Sequence, residues 1–283
     1  MILGVVGLAI IGYMSEGSSS STSVTKNSTV SNPPKTETYP PTNANPSAAD
    51  TTPSTNANSN TSSAEAPATE NVVDKILARY VQALGGEEAL KAVSSRVATG
   101  SFEVPSAGVS GTAEFYQKAP NKNLFIISIP GLATTRRGFN GSTGWEVDNE
   151  GNVKRLTGSE LAAMKRGSDF YRDLNLRNAY SNLSLSGKEK VDGKDAFVID
   201  ARSADGGEEK MYFDTQTGLL LRNDEARDTG TSKSYFSDYR TVDGIKLPFT
   251  FRQEDGQTSA VIRLKEVRHN VTINDSIFNV PSK

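Results

Sequence analysis

The sequence predicts a mainly β domain laid out as one long antiparallel meander, with one N-terminal helix and one mid-chain helical insert. Two phrases in the C-terminal quarter carry most of that prediction. Tyr212–Arg222 is a pair of β-rich runs joined through Gly218, and Ser237–Pro248 is another pair joined through Asp243-Gly244. An Asp-Gly pair between such runs is a strong hairpin signal, because the favoured two-residue turn needs positive φ at both central positions. The third observation is number. Roughly eleven to thirteen β-rich runs follow one another with short connections, the pattern of a meander. So many strands in one sheet must curl strongly, split or close.

Composition sets where the domain begins. Ser18–Ala68 is dominated by Ser, Thr, Asn, Pro and Ala, whereas the single Trp and all eleven Phe lie beyond residue 70. Such a stretch cannot bury enough apolar surface to offset the entropy of ordering it, so residues 15–70 are expected to be an unstructured linker. Ahead of it, Ile2–Met14 is an uncharged run of thirteen residues. As a helix it reaches only ~20 Å, short of the ~30 Å bilayer core, so residues 1–14 are expected to be a signal-peptide core or the end of a signal anchor. Export to a periplasmic or other extracytoplasmic space is the expectation, with cleavage and N-terminal tethering both open. Residues 71–283 then form the folded domain, long enough for one sizeable core.

Within that domain, Val72, Val73, Ile76, Leu77, Tyr80, Val81 and Leu84 recur at helical spacing, and Gly85-Gly86 supplies the stop. A short second helix is expected over Glu87–Val93. From Arg96 the period becomes that of strands: Arg96–Val104, Val109–Lys118, Lys122–Ile129 and Leu132–Phe139, then a hairpin of Gly144–Val147 with Val153–Leu156. Thr157–Leu174 interrupts them. Thr157 and Glu160 make a capping-box pattern, Leu161, Met164, Phe170, Tyr171 and Leu174 give an apolar side, and Gly167 is expected to break or bend the helix. Further strands follow to about residue 270. Leu124-Phe125-Ile126-Ile127 and Leu219-Leu220-Leu221 are apolar on both faces. Both faces therefore need cover, one from helices and the other from a ligand, a lid or more protein.

The residues argue against several chemistries. Lys+Arg of 31 against Asp+Glu of 33 leaves the chain near neutral, without the basic excess of a nucleic-acid binder. There is no cysteine, which excludes disulfides and thiolate chemistry, and one histidine. His269 lies in a terminal run beside Arg268 with no nucleophile elbow in the chain, and reads as a surface or edge-strand residue. Asp238, Asp243 and Asp255 could in principle serve as paired carboxylates, but Asp243 and Asp255 occupy Asp-Gly turns, a sufficient structural reason for both. Asp148–Asn152 lacks the remaining ligands of a calcium loop, and Gly138, Gly141 and Gly144 do not open a helix. No catalytic residue, metal ligand or cofactor site is expected, and the reading is not an enzyme. Trp145 reads either as a core anchor or as a cavity wall.

In order and spacing, a series of phrases resembles the outer-membrane lipoprotein-sorting (LolA-like) superfamily over about residues 72–281. They are Ala83-Leu84-Gly85-Gly86, Gly100-Ser101-Phe102, Tyr116–Lys122, Gly138–Gly141 leading to Gly144-Trp145, Asp214–Leu220, Asp238-Tyr239-Arg240 with Asp243–Pro248, and Asn279-Val280-Pro281. The resemblance implies an incomplete, strongly curved antiparallel β-barrel of about eleven strands, with an N-terminal helix and a helical lid insert over an apolar concave face. It also implies binding of lipid or lipoprotein acyl chains, as an envelope carrier or chaperone. The alternative is a non-transporting envelope sensor or protein-interaction module on the same half-barrel. Phe125, Ile127, Trp145, Met164, Phe170 and Tyr171 are the expected cavity and lid contacts. Acyl chains suit such a site because area drives their binding, at about 25 cal/mol per Å². A monomer is expected, with an envelope membrane protein as a further partner and no nucleic acid. The long low-complexity leader departs from the family's freely diffusing carrier.

Overall fold

A computed structural model describes residues 66–227, 230–256 and 258–282; the expectations for residues 1–65 lie outside them, while residues 66–70, expected to belong to the unstructured linker, are the first residues of a helix. Helix α1 (Ala66–Leu84) and the short α2 (Gly86–Lys91) precede six strands: β1 (Ser95–Val104), β2 (Val109–Lys118), β3 (Lys122–Ile129), β4 (Ala133–Phe139), β5 (Gly144–Val147) and β6 (Val153–Arg155). The insert follows as α3 (Gly158–Ser168) and α4 (Arg172–Ala179). Seven strands complete the domain: β7 (Asn182–Val191), β8 (Lys194–Arg202), β9 (Glu208–Asp214), β10 (Leu220–Arg227), β11 (Gly230–Val242), β12 (Ile245–Asp255) and β13 (Thr258–His269).

All thirteen strands belong to one sheet, in the order β6-β5-β4-β3-β2-β1-β13-β12-β11-β10-β9-β8-β7. Neighbours pair antiparallel throughout, including the long-range pair of β1 with β13. The chain meanders outward from β1 to β6, crosses, and meanders back from β7 until β13 meets β1. Strands β6 and β7 are consequently the two free edges, and the insert is the connection between them.

Laid flat, such a sheet would be roughly 55–60 Å wide. Yet residues from β1, β2, β3 and from β8 through β13 share one apolar cluster with Val73, Ile76, Leu77, Tyr80 and Leu84 of α1. Arg137 of β4 also feels the charge of Arg227 on β10 across the interior. The sheet therefore curls around α1 and the insert as an incomplete barrel. Its inner face is the helix-covered one. On the outer face, Val97, Leu124 and Trp145 form a second cluster with Ile273 and Phe278 of the C-terminal segment.

Local chemistry fixes the helix ends. Gly85 has φ 124°, and a Cβ there would lie 2.3 Å from the Gly244 carbonyl oxygen, so only glycine lets α1 stop against the β11–β12 hairpin. At the insert, the expected capping box does not form. Thr157 makes no side-chain cap, and Glu160 pairs with Lys154 of β6 instead. The insert is two short helices: α3 ends just past Gly167, and Asp169–Tyr171 form a corner, where Asp169 accepts from the Tyr171 N–H at 2.9 Å.

Candidate functional site

The inner sheet face beneath the insert is the candidate site. Side chains alternate across a strand. Thus Phe125 and Ile127 of β3 point inward, into the cluster that also holds Phe115, Phe170, Leu176 and the apolar side of α1. Phe115 and Phe125 stack with centroids 4.6 Å apart. Phe170, at the corner of the insert, reaches the same cluster and meets Tyr171 edge-on at 5.2 Å. Tyr171 is partly buried against it and donates its hydroxyl to the Val93 carbonyl at 3.2 Å.

The other two expected contacts lie elsewhere. Met164 packs with Phe139, Leu156 and Leu161 in a separate cluster toward the β6 edge. Trp145 is turned to the outer face, because it is registered opposite Gly138 and Leu124 and not opposite Phe125. Its indole covers Gly138, where a Cβ would come within 2.3 Å of the ring, and its Nε1 donates to the Phe278 carbonyl at 2.8 Å. The geometry is that of an anchor for the C-terminal segment.

Polar groups buried on the inner face tie the insert to both arms of the sheet. Arg172 of α4 donates to Glu209 of β9 at 3.1 Å and to the Tyr180 hydroxyl at 2.7 Å, and Asn223 of β10 also donates to Glu209 at 3.1 Å. Burial alone would weaken the protonated form of Arg172, but Tyr180 and Glu209 outweigh it and hold its pKa above the ordinary value. Asp173 accepts from the Tyr80 hydroxyl of α1 at 3.0 Å. On the other arm, Asn123 of β3 donates to the Ser168 hydroxyl, and the Phe170 N–H donates to the Pro120 carbonyl at 2.9 Å. Between α1, α2 and α4 an open groove of about 610 Å³ remains, lined by Val81, Gln82, Glu87, Lys91, Tyr171 and Leu174 among others.

Sequence reasoning missed two inner-face features. His269 is neither at the surface nor on an edge. Strand β13 is central, and the imidazole is only 1% exposed, between Arg96 and Asp243. The period-2 pattern places His269 opposite Arg96, but only once β1 is known to pair with β13. Arg137 is 3% exposed on the inner face, and its Nε has no hydrogen-bond partner. Burial pushes its pKa down, opposed by Glu146 and Glu160. Among the described residues, no group of three acidic, His or Cys side chains is placed to hold a metal, and no helix is long and apolar enough to cross a membrane.

This architecture defines a class: open, curled antiparallel sheets with helices laid over the inner face. The comparisons sharpen it. A DUF1329 family protein from Desulfovibrio piger is similar in structure at 18% identity, covering 73% of this chain and 97% of its own, with a TM-score of 0.53. A LolA superfamily protein from Nitrosomonas europaea is similar at 14% identity, covering 73% of this chain and 96% of its own, with a TM-score of 0.50. The fold is LolA-like. A family model described as "Uncharacterized protein" matches residues 148–282. No curated protein matches the sequence.

Proposed function

We propose that this chain is an extracytoplasmic binding protein whose inner sheet face receives an acyl chain of a lipid or lipoprotein beneath the insert, as an envelope carrier or chaperone. One observation carries the reading. The apolar inner face is covered by an insert strung between the two free sheet edges, and a groove opens at the insert's seam with α1. The LolA-like fold supports the same ligand class. Phe125, Ile127, Phe170 and Tyr171 are the proposed contacts, with Met164 on the first helix of the insert at its far end. Each methylene brought from water into such a face contributes about 0.8 kcal/mol, so a long chain binds without any specific polar recognition.

A second reading has its own support: Phe125, Ile127 and Phe170 are already buried by the protein's own side chains. On that reading the half-barrel is a non-transporting sensor or protein-interaction module. Binding of a fluorescent fatty acid, with native mass spectrometry of the purified protein, separates the two. Phe170→Ala is expected to weaken probe binding severalfold while the domain stays folded. A wild-type protein that binds no probe and carries no lipid would sink the carrier reading in favour of the module.

A further inference from the structure

The insert's corner rests on a row of polar groups, buried at Arg96, Gln117 and the His269 imidazole and open to solvent at Asp243, that contains the chain's one histidine. Arg96 of β1 donates from Nε to His269 Nε2 at 3.1 Å and from Nη1 to Gln117 of β2 at 3.3 Å. On its other side, His269 Nδ1 lies 3.1 Å from a carboxylate oxygen of Asp243, in the β11–β12 turn against which α1 ends. Above the row, the Arg96 guanidinium sits 5.5 Å from the centre of the Phe170 ring. The row thus joins the hairpin under α1 to the aromatic corner of the insert.

The geometry allows one protonation state of the imidazole. Arg96 is a donor only, so His269 Nε2 must carry a lone pair, and Nδ1 must hold the proton that goes to Asp243. The other charged groups do not change this. Asp173 of the insert acts on Arg96, and Arg96 and Asp243 are the charges that act on His269. We propose that His269 is an acid-operated release for the insert: its protonation sets an N–H against the Arg96 N–H, displaces the guanidinium from under Phe170, and loosens the cover of the inner face. The proposal rests on the reading of that face as the binding site.

Burial, then Arg96, hold the His269 pKa below the ordinary value, with Asp243 opposing them. Arg96 is itself lowered by burial only to about 10, so it remains a cation throughout. The sign follows by linkage. The unfolded or opened state binds the proton more readily than the closed one, so closure weakens as pH falls below about 6.5 and on through the lowered folded value.

The test uses the full chain. Hydrogen exchange across residues 158–179, corrected for the intrinsic pH dependence of amides, is measured from pH 8 to pH 5. The ring C–H resonance of His269, unambiguous in a chain with one histidine, reports its titration alongside. The expected result is exchange that rises severalfold in step with His269 protonation, and a matching rise in the on-rate of a fluorescent fatty acid. His269→Gln, which can accept from Arg96 and donate to Asp243 without titrating, should abolish the response. Should that variant fail to fold, the coincidence of titration and exchange in the wild type still decides the matter. Exchange that ignores His269 protonation, or an acid response that persists in folded His269→Gln, overturns the release. Acid-loosened exchange with no probe binding upholds the release and removes the carrier reading; probe binding with pH-independent exchange does the reverse.

Discussion

The sheet has two covers, and they are built differently. The C-terminal segment lies on the outer face over Val97, Leu124 and Trp145, an apolar patch pinned by the hydrogen bond from Trp145 to Phe278, with solvent-exposed ion pairs of Asp275 to Lys118 and Lys122 at its rim. The helical insert lies on the inner face over a larger apolar surface, but its attachments are buried polar groups: Arg172 with Glu209, Asn123 with Ser168, and the Arg96 row beneath Phe170. Apolar packing is lost gradually with separation and is indifferent to pH. Buried hydrogen bonds and charges hold one geometry, and become costly once a partner leaves or changes protonation. The outer cover is fitted to stay, and the inner one is held by the contacts on which the proposed release would act.

The largest expected effect tests the outer cover. Trp145→Ala should cost about 3–5 kcal/mol, roughly 6–20 °C in Tm for a domain of this size, through the cavity and the unpaired Phe278 carbonyl. Acyl-probe affinity, measured where the variant is still folded, should not change. A variant that keeps its Tm but loses the probe would return Trp145 to the binding site and erase the distinction between the faces.

Next comes the inner anchor. The side chains of Arg172 and Glu209 are 7% and 8% exposed, so the pair is hardly screened. Arg172→Met alone leaves Glu209 buried without its cation, at a cost of about 3–5 kcal/mol by urea unfolding. Adding Glu209→Leu should recover most of that loss, because an apolar pair of similar volume is often as stable as a buried ion pair. Recovery together with changed exchange in the insert would show that the pair sets where the insert sits. A double variant as unstable as the single one would place both residues in an apolar-intolerant core and count against a releasable cover.

How much of this was legible beforehand depends on the range of the interaction. The meander, α1 with its Gly85 stop and an insert read over Thr157–Leu174 follow from local periodicity and turn chemistry, whereas the second helix of the insert runs on to Ala179. Phe125 and Ile127 were legible only as candidates in a run apolar on both faces; packing with α1 and the insert, against Leu124 with the C-terminal segment, decides which face is inner. The rest needed long-range register. Trp145 could not be assigned a face until Gly138 and Leu124 were known to lie opposite it. The row through His269 depends on β1 pairing with β13, residues 173 positions apart meeting at 3.1 Å. The Thr157–Glu160 capping pattern is not realised either: Thr157 makes no side-chain cap, and Glu160 pairs with Lys154, six residues away on β6.

The smallest expected effect lies where the two faces can be compared on the same pair of strands. Gly138 opposite Trp145 faces outward and is fully packed. One residue earlier, Arg137 opposite Glu146 faces inward with its Nε unpaired. A buried guanidinium without a full set of partners is a poor contributor to stability, since its desolvation is not offset. Arg137→Met keeps the length and volume while removing the charge, and Glu160 retains Lys154 as its partner. The expected result is a Tm unchanged or slightly raised. A fall of several degrees would mean that Glu146, Glu160 and Glu225, the carboxylates that act on Arg137, depend on its charge to stay apart across the barrel. In that case the inner face owes its shape to electrostatics on both arms and not only to the anchors of the insert.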